Sequence, residues 1–97
     1  MMGRDDVLRR LAANTGVLAG MGVRSLSLFG SVARDEATAE SDVDILVDFG
    51  EPASFDAYMD LKFYLEGLLG VRVDLVTERG LKPGVRPYVQ RDAIRAA

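Results

Sequence analysis

Leu28-Phe29-Gly30-Ser31 and, after ten intervening residues, Asp42-Val43-Asp44-Ile45-Leu46-Val47-Asp48-Phe49 are the two stretches on which the fold turns. In the second, Val43, Ile45, Val47 and Phe49 alternate with other residues at the period of a β-strand. Asp42 and Asp44, two apart, therefore leave the strand on its other face, side by side. The first stretch ends another strand, Val23 to Phe29, in which Leu26 and Leu28 alternate with Ser25 and Ser27. Gly30-Ser31 closes that strand and opens a helical turn through about Glu36, and Ala37 to Ser41 is a polar loop.

Outward from this centre the pattern stays regular. Towards the N-terminus, Val7, Leu8, Leu11, Ala12 and Leu18 fall at helical spacing, predicting a helix from about Asp6 to Ala19 that stops at Gly20 and Gly22. Towards the C-terminus, Gly50-Glu51-Pro52 breaks the strand and Ser54 is placed to cap a helix over Phe55 to Leu69. Its apolar stripe is Phe55, Tyr58, Leu61, Leu65, Leu68 and Leu69, with Gly70 as the C-terminal cap. Val71 to Thr77 reads as a third strand, Gly80 and Pro83-Gly84 as turns, and Arg86 to Ala96 as a last helix. The fold class is α/β (α+β), a small mixed β-sheet of about three strands flanked by about four helices. With 97 residues, no repeat and no linker, one domain over 1–97 is expected.

Composition narrows the chemistry. Apolar residues make up 48% and charged residues 28%, a balance suited to a soluble domain. No apolar run approaches the ~18 residues that span a bilayer, and no signal-peptide core is visible, so the expectation is a cytoplasmic protein with no membrane contact. There is no cysteine and no histidine. Thiolate chemistry, the Ser-His-Asp triad and nearly all zinc and copper sites are thereby excluded. Carboxylates are left as metal ligands, and they suit hard cations such as Mg²⁺ or Mn²⁺. The net charge is −3, from 12 basic and 15 acidic residues, which argues against direct nucleic-acid binding.

Each local feature has a plain structural reading beside the functional one. An Asp-x-Asp pair on an exposed strand face is often simple solvated charge. Gly30 could be a turn glycine and Ser31 an N-cap, or the two could cradle a phosphate with backbone N–H groups and a hydroxyl. In Val71-Arg72-Val73-Asp74-Leu75-Val76, Asp74 is a charge amid apolar residues, costly if buried unpaired. Pairing with Arg72 or Arg79 would account for it, and so would a cation shared with Asp42 and Asp44. Lys82, Arg86, Arg91 and Arg95 read as a solvated face, and Tyr58, Tyr64 and Tyr88 as core or rim residues.

The combination of Leu28-Phe29-Gly30-Ser31-Val32-Ala33-Arg34 with Asp42-Val43-Asp44-Ile45-Leu46-Val47 resembles the signature of the DNA polymerase β-like nucleotidyltransferases, and within them the minimal nucleotidyltransferase (MNT) group. The resemblance continues through Leu61 to Glu66, Gly70 to Val76, Leu81-Lys82-Pro83 and Arg86. It implies a polymerase β palm-like fold in which Asp42, Asp44 and Asp74 are the catalytic residues and the ligands of two Mg²⁺ ions, with Mn²⁺ as a substitute. It implies further that Gly30, Ser31 and Arg34 bind the nucleoside triphosphate, ATP. Similar sequences often carry Gly where Asp35 stands, and a carboxylate there could weaken nucleotide binding or point to solvent.

The implied reaction moves a nucleoside monophosphate, AMP from ATP, onto an acceptor hydroxyl. Small MNT proteins commonly accompany HEPN-domain toxins as antitoxins and can transfer AMP to a toxin tyrosine, so a HEPN-type toxin is the partner implied, in a hetero-oligomer or beside a homo-oligomer. The alternatives are an antitoxin that acts by occlusion alone and a transferase for a small molecule such as an aminoglycoside.

Overall fold

Alternating apolar residues in Val43–Asp48 place this segment, β2, at the middle of a four-stranded sheet in the computed structural model, which describes residues 3–38 and 41–97. The remaining strands are β1 (Ser25–Phe29), β3 (Val73–Thr77) and β4 (Ile94–Arg95), and the helices are α1 (Arg4–Ala12), α2 (Thr15–Gly20), α3 (Gly30–Ala33), α4 (Phe55–Leu69) and α5 (Arg86–Asp92). The strand order is β3-β2-β1-β4. β1 is antiparallel to both β2 and β4, whereas β2 and β3 are parallel, with α4 as the crossover between them. The sheet is mixed, in keeping with the fold that the resemblance implies.

One face carries the main core. Leu26 and Leu28 of β1, Ile45 and Val47 of β2, and Leu61 and Leu65 of α4 are fully buried there, together with Val7 and Leu11 of α1. Ser54 caps α4 as expected, its hydroxyl accepting from the Ala57 N–H at 3.1 Å, and Gly70 ends the helix in a left-handed conformation. The opposite face is covered over a small area only, where Leu46 meets Leu81 and Val89, with Phe29 and Val76 packed against them. α5 thus lies over the centre of that face. Asp44 and Asp74, on the same face by strand alternation, lie beyond this patch.

Three expectations need correction. The single N-terminal helix is two, because the Asn14 side chain donates to the Arg10 carbonyl at 2.7 Å and the backbone leaves helical geometry at Asn14. The last helix stops at Asp92: Ala93 is extended, and Ile94 and Arg95 pair with Leu28 and Ser27, satisfying backbone groups on the outer side of β1. Hence the described residues form four strands rather than about three, and five α-helices rather than about four. The turn expected through Glu36 is a shorter helix, α3, closed by Asp35 in the left-handed conformation at φ 60°. The Asp35 N–H bonds the Val32 carbonyl at 3.0 Å and the Glu36 N–H bonds that of Ser31 at 2.8 Å, a standard left-handed helix stop. Residues 39 and 40 of the expected 37–41 loop lie outside the described residues.

Candidate active site

Strand register assembles the site. In the parallel ladder Asp44 stands opposite Asp74, and one step before the ladder's first pair the Val43 N–H bonds the Arg72 carbonyl at 3.0 Å. Arg72 is thereby set beside Asp42, and its Nε lies 3.1 Å from Asp42 Oδ1. On the other side of β2, Phe29 pairs with Asp44, so that Gly30 follows directly over the Asp44 carboxylate. Gly30 has φ 74°, and a Cβ there would lie 2.1 Å from Asp44 Oδ2. Only glycine meets both requirements, which makes it more than a turn residue. Ser31 is half-buried; Phe29 is the N-cap of α3 and no side chain caps that helix, so the Ser31 hydroxyl is not serving as the cap.

The electrostatics centre on Asp44. Its carboxyl is pushed up to about 6, first by burial, then by the charge of Asp74 and a hydrogen bond shared with it, with Asp42 adding and Arg34 opposing. A proton shared between facing carboxylates is the usual answer to two like charges at short range, and a bound cation is the other. Asp74 itself is exposed, because β3 is an edge strand. The desolvation cost expected at Asp74 therefore falls on Asp44. Neither Arg72 nor Arg79 forms an ion pair with Asp74 among the described residues: Arg72 holds Asp42, and Arg79 donates to the Gly50 carbonyl at 3.3 Å.

Arg34 leaves the end of α3 and is tied to Glu36 at 3.1 Å and Asp92 at 2.7 Å, which hold its guanidinium even more basic than usual. This pair fastens α3 to α5. Arg86 does similar work at the other end of α5, donating to the Glu78 carboxylate and carbonyl. Tyr58 donates to the Leu75 carbonyl and Tyr64 to the Asn14 side chain, whereas Tyr88 is exposed under the Arg91 guanidinium at 5.6 Å, so all three are core or rim residues. A cavity of about 470 Å³, bounded by Phe49, Phe55, Tyr58, Thr77 and Arg79, opens at the far ends of β2 and β3. Nothing in the sequence signals it, and neither Asp42, Asp44 nor Asp74 lines it.

The donor set suits a hard divalent cation. The site offers carboxylates only, and Asp42 Oδ1 is shut off from solvent without a hydrogen bond, since the nearby Arg72 Nε–H is not aimed along it. Asp44 and Asp74 face each other, but Asp42 is engaged by Arg72, and no group of three acidic side chains is pre-assembled as a cation cage among the described residues. Nor is any helix among them long and apolar enough to cross a membrane.

A mixed sheet with paired aspartates on adjacent strands and a glycine laid over one of them defines the nucleotidyltransferase class, and the nucleotidyltransferase domain family matches residues 9–96. The chain belongs to that family. Among its relatives is the protein adenylyltransferase MntA of Thermococcus cleftensis, 51% identical over 73 residues, which are 75% of this chain and 74% of that protein. A solved structure assigned to a minimal nucleotidyltransferase superposes with a TM-score of 0.83 at 46% identity, over 96% of this chain and 95% of that one. The same fold recurs, at 20% identity and a TM-score of 0.70, in a complex of a tri-AMPylated Shewanella oneidensis HEPN toxin with its MNT antitoxin, over 94% of this chain and 71% of the matched one.

Proposed function

We propose that this nucleotidyltransferase is a metal-dependent protein adenylyltransferase that moves AMP from ATP onto a hydroxyl of a partner protein, a HEPN-type toxin tyrosine, and so acts as its antitoxin. The observation that carries this reading is the facing Asp44–Asp74 pair under a glycine that keeps the approach to Asp44 open. The identity with MntA supports protein adenylylation in particular, and the Shewanella complex supports the class of acceptor.

In this reading Asp42, Asp44 and Asp74 hold two Mg²⁺ ions, which when bound lower the acceptor's pKa and neutralise charge on the leaving group. The acceptor oxygen attacks the α-phosphorus, a new P–O bond forms, the bond to the β-phosphate oxygen breaks and pyrophosphate departs. Gly30, lacking a side chain, lets the triphosphate close on the strand end, and the Ser31 hydroxyl is free to donate to it. Asp74, open to solvent on the edge strand, accepts the acceptor's proton. Arg34, at the end of the same short helix, contributes positive charge beside the phosphates. Most of the rate enhancement then comes from placement and charge.

The test is transfer of label from α-labelled ATP, with Mg²⁺, onto protein in a native lysate supplemented with a HEPN-type toxin. A labelled band with wild type and none with Asp42→Asn/Asp44→Asn is expected. Absence of label with wild type, while toxicity is still neutralised, would show an antitoxin acting by occlusion. Label on a small molecule instead of protein would point to the aminoglycoside-type reaction.

A further inference from the structure

We infer that Arg72 is the resident counter-ion of Asp42, and that a divalent cation gathers Asp42 to Asp44 and Asp74 only by displacing it. The inference rests on the metal-dependent reading above and goes beyond it, in naming a residue that competes with the cation.

Three observations meet at this point. Backbone pairing, not side-chain chance, sets Arg72 beside Asp42, since the Val43–Arg72 hydrogen bond extends the β2–β3 ladder by one step. The contact is close but incomplete: Nε stands 3.1 Å from an oxygen that solvent does not reach and that accepts no hydrogen bond. A carboxylate oxygen left in that state is under-coordinated, and it gains from any cation that can approach along its lone pair. Meanwhile the Arg72 side chain is 78% exposed, so its release costs little burial and exchanges one weak surface ion pair for hydration. Asp44 and Asp74 already face each other, so Asp42 is the carboxylate whose partner must change.

Binding of Mn²⁺ to nucleotide-free protein, followed by electron paramagnetic resonance of the free ion, tests the competition without any turnover. Arg72→Gln should bind Mn²⁺ more tightly than wild type, by up to about fivefold, the scale of one exposed ion pair. Arg79→Gln removes the same charge at the far end of β3 and should move the affinity less. A second measurement needs no variant. In wild type, the Arg72 Nε–H resonance should shift towards its free-solution position as diamagnetic Mg²⁺ is added. Equal Mn²⁺ affinity in wild type and Arg72→Gln, a gain matched by Arg79→Gln, or an Arg72 resonance unmoved at saturating Mg²⁺ overturns the inference and leaves the metal-dependent reading standing. No Mn²⁺ binding by any of the three proteins overturns both.

Discussion

Gly30 stands so close over Asp44 that a Cβ at position 30 would fall 2.1 Å from Oδ2 of the carboxylate. Gly30 opens α3 directly after β1, Asp44 lies on β2, and the two meet because Phe29 pairs with Asp44. Gly30→Ala therefore strains the backbone, at φ 74°, and pushes Asp44 out of place at once. A loss of about 1–3 kcal/mol in denaturant unfolding is expected. Label transfer should fall by about a hundredfold or more, as misplacement by an ångström does in other enzymes. Wild-type transfer by Gly30→Ala would show that the carboxylate does not need its position.

Asp44 makes stability depend on pH in an unusual direction. Its carboxyl ionises at about 6 in the folded protein against 3.8 for an ordinary aspartate, so between these values the folded chain holds the extra proton. Its contribution to stability is complete below about 4 and is lost as pH rises through about 6. In chelator, Asp44→Asn should melt above wild type at pH 7.5, and the gap should close as pH falls towards 4. A melting difference that is independent of pH would mean that Asp44 is not held protonated.

Asp35 occupies a left-handed position that glycine fills without strain. Asp35→Gly is expected to stabilise by about 0.5 kcal/mol in chemical denaturation, aspartate being among the residues that tolerate this conformation best. Destabilisation would indicate that the carboxylate makes a compensating contact.

Leu46 is the sheet's contribution to the small patch under α5. Leu46→Ala should cost about 2–3 kcal/mol. Hydrogen exchange should quicken at Val89 and its helical neighbours sooner than at Leu61 or Leu65, which pack on the other face. Uniform acceleration across both faces would show that the sheet's two sides unfold as one.

Much of this was legible in the sequence because the informative residues lie in strands whose period is two. Val43, Ile45 and Val47 fix which way Asp44 points, and Leu26 and Leu28 fix where Gly30 must fall. What escaped depended on pairing between distant segments. Ile94–Arg95 looks helical by its neighbours and becomes a strand only because β1 has an open side. The break near Asn14 depends on a side-chain amide competing for a carbonyl. By sequence Arg72 is a candidate partner for Asp74, two residues further along the chain, whereas parallel register makes Asp42 its partner across the strands. That Asp44 rather than Asp74 bears the burial follows from strand order, which no spacing encodes.

The position of β3 at the border of the sheet has a consequence for how the protein behaves in a crowd. An outermost strand offers unpaired backbone groups to any other extended chain, and folded proteins protect such borders with charge. At the other border β4 is only two residues long, and it presents little to recruit. On β3 Asp74 is exposed, as is Arg72 just before the strand, one charge of either sign, beside the apolar Val73 and Leu75. Arg72 and Asp74 thus place a charge of either sign at the border where strand-to-strand stacking of two molecules would begin.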